Sequence, residues 1–315
     1  MNPAYSVLVF TTASGAGYGM LILLGILAPL GLLPADRWFG FWGMALSLGL
    51  ITLGLMASTL HLGHPERAWR ALSQWRSSWL SREGCLALAT YLPAAIFGIG
   101  WVFLERTDGV FALFGFLASL LALVTVVCTA MIYASLKPIR QWHNLHVVPV
   151  YLAFSLMTGA LGCYVLFSAF RDDRIWLGSI AGLAVLVGWV LKWSYWHSID
   201  EEKRVSTTAS AIGLADLGRV RLLDPPHTEE NFLQKEMGYQ IARKHAVKLR
   251  GIAMMLGGVL PIALIFLTFA TSGTLAAVLA FLALAAALAG ALLERWLFFA
   301  EATHRVMLYY GADAA

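Results

Sequence analysis

The chain has 315 residues, of which 59% are hydrophobic and only 13% charged, with a formal net charge of +4 and a mean hydropathy of +0.73. Soluble domains carry about 25% charged residues, so the composition excludes an ordinary soluble protein and points to repeated membrane spans. Cys85, Cys128 and Cys163 stand singly in apolar runs; with no CxxC or Cys/His cluster, the protein alone cannot build an iron–sulfur cluster or a structural zinc site.

Eight apolar stretches follow in order, at about 6–33, 38–61, 83–104, 110–136, 145–170, 175–197, 251–271 and 274–299. Each can cross roughly 30 Å of hydrocarbon as a helix rising 1.5 Å per residue. Helices are required because backbone amides in lipid must be satisfied within the segment. Runs such as "LAAVLAFLALAAALAGALL" also exclude a barrel of alternating strands. The N-terminus has no basic region and no small-residue cleavage site, so the first span reads as a retained helix. The expected fold is all-α: one integral membrane domain over 1–315, a bundle of eight transmembrane helices.

The small-residue stretch "TTASGAGYG" in the first span predicts close approach of a neighbouring helix, or of a flat ligand tail. Trp38, Trp42, Trp142, Trp176, Trp193, Trp196 and Trp296 fall near span ends, where an interfacial aromatic belt is expected. Pro93, Pro149 and Pro261 mark possible kinks in spans three, five and seven.

Between spans two and three runs "STLHLGHPERAWRALSQWRSSWLSREG". It places His61 at the end of one span and Glu83 at the start of the next, at similar depth on one face. Between spans six and seven lies the long polar stretch, 200–250. Its "DPPHTEENFLQKEMGYQIARKHAVKLR" predicts an amphipathic helix capped by Thr228, with Glu229 and Glu230 in the first turn. The preceding "STTASAIGLADLGRVRLLD" has little periodicity and is expected to order against a partner. Near the C-terminus, Glu301 and Arg305 are spaced to pair on one helix face.

Charge sets the orientation. The side holding both termini carries seventeen Lys and Arg residues, against four on the other side: Arg37, Arg106, Arg171 and Arg174. Arg67, Arg70, Arg76 and Arg82 all lie in one short loop, where the positive-inside rule is strongest. The termini, the His61–Glu83 loop and the 200–250 segment are therefore expected in the cytoplasm.

A His/Glu pair at a membrane interface can relay protons, since histidine titrates near neutral pH. A quinone, which takes up two protons with two electrons, is a lipid-dissolved reactant that needs this service. The residues alone leave open a plainer role, in which both groups cap helix ends and snorkel to water. They also leave open a b-type haem, for which His61, His64, His143, His146, His197 and His304 cluster at one face; none lies in mid-span, where two axial ligands would be expected. A transporter would need acidic or basic groups near the midplane beside broken helices, and none accompanies the three prolines. A passive anchor without a quinone site is the remaining alternative.

The loop motif, with its His-Leu-Gly, its basic Arg-Ala segment and its Leu-Ser-x-Glu, resembles the hallmark of the dimethyl sulfoxide reductase anchor-subunit family, the DmsC/NrfD-like membrane proteins. The ending "LLERWLFFAEATHRVMLYYG" and the eight-span layout are similar as well. The resemblance implies a quinone site with His61 and Glu83 handling protons and with Arg67, Trp69, Ser81 and Arg82 as neighbours. It implies a ubiquinone or menaquinone as the reactant of this protein. It also implies two partners: a ferredoxin-like iron–sulfur subunit with several clusters, and a molybdopterin catalytic subunit with a molybdenum bis-pterin guanine dinucleotide. No nucleic-acid partner is expected. The cytoplasmic placement of the loop, with "KPIRQWHN" and the basic 200–250 segment, is similar to the membrane subunits of cytoplasmic sulfite dehydrogenases. It points to electrons passing from sulfite to quinone at the bacterial inner membrane. The alternative is a quinol-oxidising anchor of an S-oxide, N-oxide or polysulfide reductase.

Overall fold

The computed structural model describes residues 3–60, 62–171, 175–201, 206–214, 216, 220, 223–224, 229, 231–237, 241–310 and 312. Eight long apolar helices form a bundle: α1 (Tyr5–Leu27), α2 (Arg37–Thr59), α3 (Trp79–Leu104), α4 (Gly109–Ala134), α5 (Val147–Phe170), α6 (Ile175–Glu201), α7 (Ala246–Phe269) and α8 (Gly273–Ala300). The chain is thus an all-α, multi-pass membrane protein.

Helices α1 and α5 are the most deeply buried and form the centre. Helix α1 packs against α2, α4, α5 and α8. The small-residue stretch of α1 serves this packing. A Cβ on Gly19 would strike the Ser155 backbone, and one on Gly17 would come within 2.6 Å of the Ser47 carbonyl. Serines close the same seams: Ser47 Oγ donates to Gly17 O at 3.1 Å, Ser155 Oγ to Gly15 O at 2.6 Å and Ser119 Oγ to Ile22 O at 3.0 Å. This is how helices associate where no hydrophobic force separates side chain from lipid.

Several boundaries differ from the expected ones. Helix α1 stops at Leu27, short of residue 33, because Gly31 turns the backbone at φ +71° and the Leu32 N–H returns to Leu27 O at 3.0 Å. Helix α3 begins at Trp79, before the expected residue 83, because Ser78 caps it by accepting from Ser81 N at 3.4 Å. Glu83 therefore sits a full turn inside the helix rather than at its start. Pro149 falls in the first turn of α5, where it disrupts nothing. In α7 the residues Met255–Val259 form a π-helical turn just before Pro261. Proline's missing N–H frees the carbonyl four residues earlier, and Gly257 and Gly258 in that turn lie against the Trp189 ring.

The tryptophan belt holds only in part. Trp38, Trp42 and Trp193 are exposed, whereas Trp142 and Trp196 are buried. Trp142 Nε1 donates to Phe298 O at 2.9 Å, tying the α4–α5 connection to α8. Cys128 and Cys163 are buried and Cys85 half-buried, all as free thiols.

In the long segment, the described parts are short helices at Thr208–Ala211, Phe232–Met237 and Ile241–Lys244. The expected cap Thr228 and Glu230 lie outside the described residues. Asn231 caps the second helix instead, accepting from Gln234 N while Gln234 Oε1 accepts from Asn231 N, each at 2.9 Å. The stretch expected to order against a partner carries a capped turn at Thr207–Ser210, and Thr208 Oγ1 donates to Ala312 O at 3.1 Å. Glu301 does not take Arg305 as its ion-pair partner. Arg250 grips both its carboxylate oxygens at 2.9 Å and reaches Asp200 at 2.6 Å; α8 ends at Ala300 and Arg305 opens a separate 3-10 turn, so the four-residue spacing no longer places Glu301 and Arg305 on one helix face.

Candidate functional site

The loop after α2 folds as a ten-residue 3-10 helix, Pro65–Gln74, with Pro65 in its first turn and no buried side chain. Two residues at the start of α3 hold it down. Ser81 Oγ donates to Ala71 O. The Arg82 guanidinium donates to Trp75 O at 3.0 Å and Arg76 O at 2.7 Å, and its central carbon lies 4.3 Å from the Trp79 ring centroid.

Beneath this cover opens a cleft of about 590 Å³, lined by α1, α2, the loop, α3 and α4. Its walls are mostly apolar: Val7 and Phe10 of α1, Leu55 of α2, Leu72 of the loop, and Ala87 and Leu88 of α3. This size and lining suit a flat organic ligand with an apolar tail. Glu83 supplies the cleft's carboxyl group. Its side chain is only 4% exposed, and Thr129 of α4 donates its hydroxyl to Glu83 Oε1. Tyr133 of α4 also lines the cleft and stacks on Tyr151 of α5, ring centroids 6.0 Å apart.

The structure brings together some of the residues expected from the sequence and separates others. Glu83 and Trp69 both line the cleft. Trp69 is two-thirds exposed at the mouth. Ser81 and Arg82 are spent on loop carbonyls and shape the cover. Arg67 is exposed on the outer surface of the loop, 3.7 Å from Glu66. His61 lies outside the described residues; its neighbours Thr59 and Leu62 line the cleft.

Five other histidines each have separate surroundings. His143 Nδ1 meets Ala134 O at 2.6 Å, and His146 meets Asn144 at 2.8 Å and Ser194 at 3.0 Å. His64 lies 3.1 Å from Glu66, and His197 lies 3.1 Å from Glu201. His304 is buried edge-on to Trp142, ring centroids 5.7 Å apart.

Sequence reasoning missed Thr129, since one more threonine in an apolar run carries no signal. It also left Lys192, Glu294 and Arg295 apart, although charges inside apolar stretches were visible. In the structure Lys192 Nζ lies 2.6 Å from Glu294 Oε1, and Arg295 Nε lies 2.7 Å from Glu294 Oε2.

The family model described as "DMSO reductase anchor subunit (DmsC)" matches residues 1–311. The protein is 32% identical to the C-subunit of the sulfite dehydrogenase of Allochromatium vinosum, over the whole length of both proteins. It is 26% identical to the C-subunit of the anaerobic dimethyl sulfoxide reductase of Escherichia coli over 201 residues, which cover 59% of this protein and 67% of that one. No solved structure matches at a significant level.

Proposed function

The chain belongs to the DMSO reductase anchor-subunit family, and from that premise we propose that it anchors a molybdopterin oxidoreductase and passes electrons from sulfite oxidation to the quinone pool. The observation that carries this reading is a buried carboxyl, Glu83, set in an apolar cleft large enough for a quinone headgroup. The full-length similarity to a sulfite dehydrogenase subunit supports sulfite as the donor over the reductase alternative, whose relative matches a shorter part of the sequence.

With its cysteines scattered singly through the sequence, the protein depends on a ferredoxin-like subunit to deliver electrons from a catalytic subunit holding molybdenum bis-pterin guanine dinucleotide. The quinone supplies a two-electron acceptor that becomes basic at oxygen as it is reduced. Glu83 donates a proton to that oxygen, and the Thr129 hydroxyl holds the carboxyl toward the cleft. His61 handles the second proton. Trp69 walls the cleft mouth, while Ser81 and Arg82 keep the loop closed over it, with Arg67 on its outer face. The charge excess puts the loop, both termini and the partner subunits on the cytoplasmic face of the inner membrane.

The test uses the intact complex, extracted in mild detergent and identified by mass spectrometry. Sulfite-dependent reduction of quinone and of a soluble dye are measured side by side. Glu83→Gln is expected to lower the ratio of quinone-linked to dye-linked turnover about 100-fold, the lower end of what a positioned proton donor contributes. An unchanged ratio in an assembled complex would reduce the protein to a tether. A complex that oxidises quinol with an S- or N-oxide but ignores sulfite would establish the reductase alternative.

A further inference from the structure

A second centre of charge lies inside the bundle. Lys192 of α6 and Glu294 and Arg295 of α8 are each 3% exposed or less. Two cations share one carboxylate, with the Tyr195 ring 3.9 Å from Lys192 Nζ and the Tyr151 ring 3.9 Å from the Arg295 guanidinium. Taking three charges out of water is expensive even when they are paired. Ionisable groups inside spans persist where ions or protons are handled.

One neighbour of Glu83 and one member of this cluster border the same small cavity. That cavity, of about 20 Å³, lies where α1, α4, α5 and α8 meet. Thr129, which holds Glu83, lines it, and so does Arg295, which holds Glu294. Its size admits a single water, and a buried water needs two to four polar partners. Those partners are present. Thr12 Oγ1, the Tyr18 hydroxyl, and Arg295 Nη1 and Nη2 belong to lining residues and have no hydrogen-bond partner among the described residues.

We propose that Glu83 exchanges protons with the Lys192–Glu294–Arg295 cluster through one water held in this cavity, making the cluster a proton reservoir for the cleft. The proposal rests on the reading of that cleft as a quinone site. After Glu83 has given up its proton, the Thr129 hydroxyl passes one to it and takes another from the water. Arg295 orients the water toward Glu294, which relays a proton from the Lys192 ammonium. One proton leaves Lys192, one arrives at Glu83, and no electron moves on this path. The amine is left neutral beside the Glu294–Arg295 ion pair, so the cluster passes from net +1 to zero. A fully buried site tolerates that change better than one that leaves a lone charge. Lys192 then regains its proton from water before the next turnover.

The experiment measures quinone-linked and dye-linked sulfite oxidation, in H2O and D2O, by intact complexes carrying Glu294→Gln, Thr129→Val or Thr129→Ser. Glu294→Gln and Thr129→Val are expected to lower the quinone-to-dye ratio about tenfold and to raise its solvent isotope effect, because proton transfer becomes limiting. The quinone KM should stay put. Thr129→Ser keeps the hydroxyl and should restore most of the rate. Wild-type ratios and isotope effects in both impaired variants, with Glu83→Gln still defective, would overturn the reservoir and leave the quinone site standing. Wild-type behaviour in Glu83→Gln as well would remove the quinone site itself. Should Glu294→Gln fail to assemble, Thr12→Val, which removes a partner of the water at a residue outside the quinone cleft, decides the matter: a wild-type ratio and isotope effect there would overturn the reservoir, and a lowered ratio with a raised isotope effect would support it.

Discussion

Single side chains at the loop-bearing end of the bundle show how burial converts ordinary residues into specialised ones. Glu83 lies one helical turn inside α3, with a threonine as its hydroxyl donor and apolar walls around it. His304, beyond the last span, shows a titratable group held by burial. Loss of hydration, with Arg243 nearby, pushes its pKa down from 6.5 to about 4. The folded protein thus keeps His304 neutral at pH values where the unfolded protein binds a proton there. Its stabilising contribution is complete above pH 6.5 and is lost as pH falls toward 4. His304→Gln is expected to flatten the acid side of the stability profile over that window, read from thermal-unfolding midpoints of detergent-solubilised protein. Gly19 is constrained for another reason, the close approach of its backbone to Ser155. Gly19→Val should force α1 and α5 apart and destabilise the bundle by about 1–3 kcal/mol, seen as a lowered unfolding midpoint.

At the scale of elements, the 3-10 helix over the cleft depends on α3 for its position. Its own residues bury nothing, and Arg82 supplies two charge-assisted hydrogen bonds to its trailing carbonyls. Arg82→Ala removes both, each worth about 1.5–3 kcal/mol for a charged donor before solvent exposure discounts it. The expected result is faster amide exchange across residues 65–78, with the exchange of α3 beyond Thr90 unchanged. Helix α7 makes a comparable point. Pro261 opens the helix into a π turn, and the two glycines there admit the Trp189 ring. The start of α7 is fastened by Arg250, which joins Asp200 of α6 to Glu301 just past α8. That bridge closes the polar segment back onto the bundle.

For the whole molecule, the eight spans found among the described residues put the start of α1, the cleft cover and the end of α8 on one face. The proposed orientation, with that face toward the cytoplasm, follows from the charge excess. Ser73→Cys, exposed in the cover, should react with a membrane-impermeant maleimide in inverted vesicles and be protected in right-side-out cells. Leu32→Cys, exposed in the α1–α2 connection, should show the reverse, measured against the labelling of the unsubstituted protein. Hydropathy and Lys/Arg placement make the number of spans and their order readable without coordinates, because lipid imposes both on any sequence. The loop motif likewise marks Glu83 and Trp69. Local turn chemistry at Gly31 and Ser78 moved the helix ends by a few residues, which hydropathy cannot register. What the sequence by itself determined was the all-helical membrane class, the small-residue packing of α1 and the address of the candidate site. Only tertiary structure decided that Thr129 faces Glu83, that Arg250 rather than Arg305 meets Glu301, that Ser81 and Arg82 brace the loop, and that Lys192 meets Glu294. Each of these depends on which faces of separate helices turn toward one another, and helices apolar on nearly every side carry too weak a periodic signal to say so.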